Sequence, residues 1–157
     1  MNAHISLLIL TVVSAIATSA LAIIAWTQLG KLDRDMDSRL YADYNKRCQK
    51  LMVKIPLDAT DGTLGLKELL SRGPSIHEDA IRHIHCYYDL CHEEWLLHEL
   101  GHVNDKKIWS DWMQGMSTAL GKKAFREVWD GYEKDGRGQP FTAFMRDLVE
   151  RPVRPGD

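Results

Sequence analysis

Hydrophobic and polar positions divide this chain into three stretches with different periods. From Ile5 to Trp26 no residue is charged, and Leu, Ile, Val, Ala, Ser and Thr dominate. About 22 helical residues rise ~33 Å, enough for a hydrocarbon core ~30 Å thick. The pattern predicts a transmembrane helix within residues 1–28, with the Trp26 indole at the interface. Ser19-Ala20-Leu21-Ala22 has the look of a signal cleavage site. A secretory signal, however, wants a basic start and a shorter apolar run, and residues 2–30 hold no Lys or Arg.

From Leu29 the run becomes amphipathic. Leu29, Leu32, Met36, Leu40, Tyr44, Leu51, Met52 and Ile55 recur at helical spacing with charges between them, and no proline interrupts before Pro56. A juxtamembrane stalk helix over 29–55 follows. Residues 56–63 are turn-rich, and a short helix over 64–71 ends at Arg72-Gly73-Pro74. Ser75 and Glu78 have the spacing of a capping box at the start of a helix over 76–100. Its stripe is Ile81, Ile84, Tyr88, Cys91 and Trp95, widened by Tyr87, Leu90, Leu96, Leu97 and Leu100, so neighbours should bury it on several sides. Gly101 suits the left-handed position after its end. Asn104 is the expected cap of a helix over 105–120 with Ile108, Trp109, Trp112, Met113, Met116 and Leu120 inward.

After Gly121 one helix carries Phe125, Val128, Trp129 and Tyr132. Residues 135–140 read as a loop, and a last helix carries Phe141, Phe144, Met145 and Leu148 before Pro152. No segment alternates with period two. The expected class is all-α: a transmembrane helix, the stalk, a compact bundle over 56–152, and a tail over 153–157.

Charge adds an orientation. Lys31, Arg34, Arg39, Lys46, Arg47, Lys50 and Lys54 follow the apolar run, and no basic residue precedes it. The positive-inside rule places the N-terminus outside and the C-terminal domain in the cytoplasm. Three cysteines, Cys48, Cys86 and Cys91, fit reduced thiols better than a disulfide framework. A net charge of −2 carries no general nucleic-acid signal.

Five patterns bear on chemistry. His98-Glu99-Leu100-Gly101-His102 spells the zinc-peptidase pentad, in which two imidazoles one helical turn apart hold Zn²⁺ and the glutamate activates water. It needs an unbroken helix through Gly101 and a third ligand, for which Glu127, Asp130 and Glu133 are the candidates. His83, His85, Cys86, Cys91 and His92 widen the metal question, but no Cys-x-x-Cys pair is present. Lys106 and Lys107, with Lys122, Lys123 and Arg126, stand at two expected helix starts, where backbone N–H groups and basic side chains suit a phosphate. Ser14, Thr18 and Ala22, beside Ala15 and Ser19, draw small-residue lines along which membrane helices can approach closely. Glu93 and Glu94 point about 100° apart on a helix, so they read as surface and partner contacts rather than as an acid–base pair.

Tyr88, Leu90, Cys91, Glu93 and Glu94, then Gly101, Trp109, Trp112, Phe125, Trp129 and Phe144, form a Leu-Cys-x-Glu-Glu … Trp-x-x-Trp … Phe-x-x-x-Trp pattern. In this the chain resembles a family of small bacterial single-span membrane proteins with a C-terminal helical domain and no assigned activity. The resemblance covers about 60 residues plus the N-terminal span. It implies core and turn roles for these residues, and a bacterial inner-membrane setting.

The expected function is a membrane-anchored cytoplasmic helical module that self-associates or binds a protein, without cofactor. One alternative is a zinc-dependent hydrolase with His98 and His102 as ligands and Glu99 as base. The other is a membrane sensor or effector that binds a phosphate-bearing ligand, as in bacterial defence.

Overall fold

The computed structural model describes residues 2–134 and 139–151. Among the described residues it is helical without strands, in seven elements: α1 (Asn2–Met52), α2 (Leu57–Thr60), α3 (Leu66–Arg72), α4 (Pro74–Glu99), α5 (Lys106–Leu120), α6 (Lys123–Lys134) and α7 (Gln139–Glu150). The expected loop at 135–138 and the tail lie outside the described residues. Gln139 and Pro140, expected in that loop, open α7. The chain divides into two compact units, Met1–Arg39 and Leu40–Asp157.

The first unit is helix alone. Its apolar residues from Val12 to Leu32 are exposed, and α1 is long and apolar enough to cross a membrane. Its hydroxyls donate inward: Thr18 Oγ1 to the Ser14 carbonyl at 2.8 Å, Ser19 Oγ to Ala15 at 2.9 Å, and Thr27 Oγ1 to Ile24 at 2.8 Å. That back-bonding leaves no hydroxyl of these three needing water, a requirement of hydrocarbon surroundings.

The second unit is a bundle in which α4 packs against α3, α5 and α6, and α5 packs against α6 and α7. The inward stripe of α4 behaves as its period predicts, since Ile84, Tyr87, Tyr88, Leu90 and Cys91 are buried. Leu96, in its last turn, and Leu100, just past it, are exposed instead, while Trp95 and Leu97 pack against the core. An aromatic centre joins the layers. Tyr88 meets Trp129 at 5.1 Å between ring centroids, Tyr87 meets Phe125 edge-on at 5.5 Å, and Trp129 meets Phe141 edge-on at 6.0 Å. The Tyr88 hydroxyl donates to the Phe125 carbonyl at 2.9 Å, which satisfies the one polar atom of a fully buried ring.

Residues 40–52, read from sequence as the second half of a stalk, belong to this bundle. Tyr44 is buried, its ring 5.4 Å from Trp112, and Leu40, Tyr41, Cys48, Leu51 and Met52 pack on the same core. Helix starts also differ from expectation. Gly73 rather than Ser75 precedes α4, because Pro74 is favoured in the first turn, where its missing N–H is no loss. Asp105 rather than Asn104 caps α5, accepting the Lys107 N–H at 2.8 Å, while Asn104 Nδ2 donates back to the Gly101 carbonyl.

Candidate functional site

The pentad sits at a helix end. The helical run of α4 stops at Glu99, and Gly101 takes φ +71°. The His102 N–H donates to the Leu97 carbonyl at 2.9 Å and the Gly101 N–H to His98 at 3.0 Å. This crossed pair is a Schellman motif, and a glycine fills its left-handed position without steric cost. His102 therefore leaves the helix before completing the turn that would bring it under His98. The His98 ring lies on Trp109 at 4.0 Å between centroids.

The candidate third ligands serve elsewhere. Glu127 accepts the Leu66 N–H at the start of α3 at 2.6 Å, and Glu133 is held by Arg146. Asp130 is exposed on the same helix, α6. The residues of the pentad thus do not fit a zinc ion held across one helical turn, and no group of three His, Cys, Asp or Glu side chains suited to a metal occurs among the described residues. The other candidate histidines, His83, His85 and His92, each make a local contact. His83 Nδ1 lies 2.7 Å from the Asp79 carbonyl, and His92 stacks on Phe141 at 4.8 Å.

The basic candidates separate into two groups. Lys106 and Lys107 start α5, whereas Lys122, Lys123 and Arg126 follow its end, 15 residues on. A helix of that length spans ~22 Å, so the five cannot share one phosphate. Lys123 is bound to Glu68 at 2.6 Å, and Lys122 Nζ lies 5.6 Å from the Phe125 ring centroid. The hydrogen bond from Lys123 holds the Glu68 carboxyl below its usual range. Ser14, Ala15, Thr18, Ser19 and Ala22 lie exposed along α1 in the first unit.

The polar chemistry that the structure does assemble runs between α1 and α4. Arg47 Nη1 is 2.7 Å from Glu93 Oε2, the Tyr44 hydroxyl donates to the same oxygen at 3.1 Å, and the guanidinium carbon stands 4.9 Å above the Tyr44 ring. The hydrogen bond from Arg47 lowers the Glu93 carboxyl below its usual range, and the one to Glu93 raises Arg47. Burial raises the Tyr44 phenol, with Glu93 adding to the shift.

Glu94, next along α4, overturns the expectation of two surface acids. It is 7% exposed, and burial pushes its carboxyl up to about 8, opposed by the charge of Arg47. Cys48 and Cys91 share its surroundings, and burial raises both thiols. Raised thiols are poor nucleophiles. This seam therefore holds a proton on Glu94 and locks α1 to α4 through Glu93, but it offers no activated nucleophile. Sequence could not single out Glu94, because a period of 3.6 places it at the border of the apolar stripe, and tertiary packing decides its burial.

No protein-family model matches the chain, and neither a curated protein nor a solved structure matches it.

Proposed function

We propose that this chain is a single-span bacterial inner-membrane protein, N-terminus outside, whose cytoplasmic helical domain is an interaction module. The observation that carries the reading is the composition of α1: one uninterrupted helix with an exposed apolar run from Val12 to Leu32 and, from Leu40 to Met52, side chains that belong to the core of the bundle. The basic residues after Trp26 support the orientation. The inward-bonded hydroxyls of Thr18 and Ser19 leave a low-relief face with Ser14, Ala15 and Ala22, which suits self-association of the span. The chemistry around α4 supports binding over catalysis, since its buried groups are raised thiols and a carboxyl raised to about 8.

Two experiments test this reading. Removing residues 1–28 is expected to release the protein from the membrane fraction, and retention there after alkaline washing would defeat the proposed topology. Replacing Ser14 and Thr18 by leucine is expected to reduce chemically crosslinked dimer in membranes. An unchanged dimer yield rules out this face as the seam.

A further inference from the structure

A groove of ≈330 Å³ opens beside the last turn of α1. Arg47 and Lys50 of α1 and Lys54, just past its end, contribute its cations, while Asp89 and Glu93 on α4 contribute two carboxylates. Cys86 of α4 also lines it and is exposed. Three of these charges are satisfied locally: Arg47 is paired with Glu93, and Asp89 accepts the Tyr132 hydroxyl at 3.2 Å. Lys50 and Lys54 have no ion pair among the described residues. Two ammonium groups on one small cavity repel each other, and a doubly charged anion between them turns that repulsion into attraction. Lysine binds phosphate as a point charge, without the planar match that a carboxylate receives from arginine. On the other side, Asp89 and Glu93 are acceptors and would repel a second anionic group while receiving hydroxyl donors. The volume lies at the small end of ligand sites.

We propose that this groove binds a small phosphomonoester that also carries hydroxyl groups, its phosphate between Lys50 and Lys54 and its hydroxyls toward Asp89 and Glu93. The source of the phosphomonoester is either a soluble sugar phosphate or a lipid headgroup. The proposal stands on the groove and not on the membrane topology or on self-association, so it survives or fails separately from them.

The exposed Cys86 thiol supplies the reporter, since Cys91 is fully buried and Cys48 half-buried. The full chain in nonionic detergent micelles is treated with a maleimide, and modification of Cys86 is followed by mass spectrometry. Ribose 5-phosphate at about ten times its Kd is expected to slow the reaction about tenfold. Ribose alone should leave the rate unchanged, and sulfate at matched ionic strength, without hydroxyls for Asp89 and Glu93, should protect far less. The Lys50→Ala/Lys54→Ala double variant should lose the protection, while Lys106→Ala/Lys107→Ala keeps it, both with unaltered helical content and thermal midpoint. Protection by ribose 5-phosphate assigns a soluble ligand. Protection only by phosphatidylinositol 4-phosphate mixed into the micelles, and not by phosphatidylinositol, assigns a lipid headgroup. Absence of protection by either phosphomonoester, equal protection by sulfate, or protection that persists in the Lys50/Lys54 variant overturns the site.

Discussion

The imidazole of His98 lies flat on the indole of Trp109, with the ring planes 11° from parallel. This contact ties the last turn of α4 to α5 and gives the first half of the pentad a packing role. His98→Ala is expected to lower stability by about 1 kcal/mol, the usual worth of a stacked ring pair. His102→Ala, exposed and beyond the helix, should change it by less than about 0.5 kcal/mol. Urea unfolding of both variants checks this. Equal and large losses would restore a shared role for the two histidines.

Gly101→Ala puts a Cβ in a left-handed conformation at φ +71°. The expected cost is about 1–2 kcal/mol even though the position has open space around it. Asparagine tolerates that conformation better, so Gly101→Asn should lose less. Reversal of that order in thermal melts would show that conformation is not what Gly101 supplies.

Glu94 predicts a pH dependence with a definite sign. Its carboxyl is raised from 4.5 to about 8 in the folded chain, so the folded state holds a proton that the unfolded state releases. Stability is then fullest below about pH 4.5, as far as this group is concerned. It declines as pH rises toward 8 and levels off above that. At about 1.4 kcal/mol per tenfold change in proton affinity, full ionisation costs on the order of 5 kcal/mol. Glu94→Gln should flatten this slope and make the protein more stable than the parent at pH 8 to 9. Parallel denaturation curves for the two proteins from pH 5 to 9 decide the matter, and an unchanged slope in the variant would falsify the assignment.

Glu127 should act as an acceptor for α3 rather than as a metal ligand. Glu127→Ala removes the partner of the Leu66 N–H and is expected to cost about 1 kcal/mol, as loss of a helix cap does. Glu127→Gln keeps an oxygen in place and should retain most of that. Gly65 supports the same contact, because a Cβ there would lie 2.7 Å from Glu127 Oε1. Identical losses in the Ala and Gln variants would argue against the hydrogen bond.

Tyr88→Phe removes one hydroxyl from the centre of the core and leaves the ring contacts in place. A loss of about 1 kcal/mol is expected, the net worth of a buried hydrogen bond, with unchanged near-ultraviolet dichroism. A loss several times larger would mean that the ring itself had moved.

Much of this architecture was legible because the bundle helices follow a strong apolar period. Phe125, Val128, Trp129 and Tyr132 pointed to the buried face of α6, and Gly101 marked the end of α4. Choices among neighbouring polar residues were not legible. Ser75 and Asn104 are good caps by type, but α4 already starts at Pro74, behind Gly73, and Asp105 is the residue that caps α5. The split of the basic candidates followed from helix length, whereas the capture of Lys123 by Glu68 depends on packing between α3 and α6, which no local pattern records. The same holds for Glu94 and for residues 40–52. Their burial is decided by a partner far away in sequence, as Tyr44 is by Trp112.

That pairing also constrains the order in which the chain matures. Residues 40–52 leave the ribosome well before α4 and α5, so Tyr44, Cys48 and Met52 must wait without their native neighbours during synthesis. The nascent core stays open until α5 emerges and Trp112 reaches Tyr44. A pause in translation between residues 60 and 105 would prolong exposure of that half-made surface. It would make the newborn chain a client of chaperones for longer than a bundle built of sequence-adjacent helices.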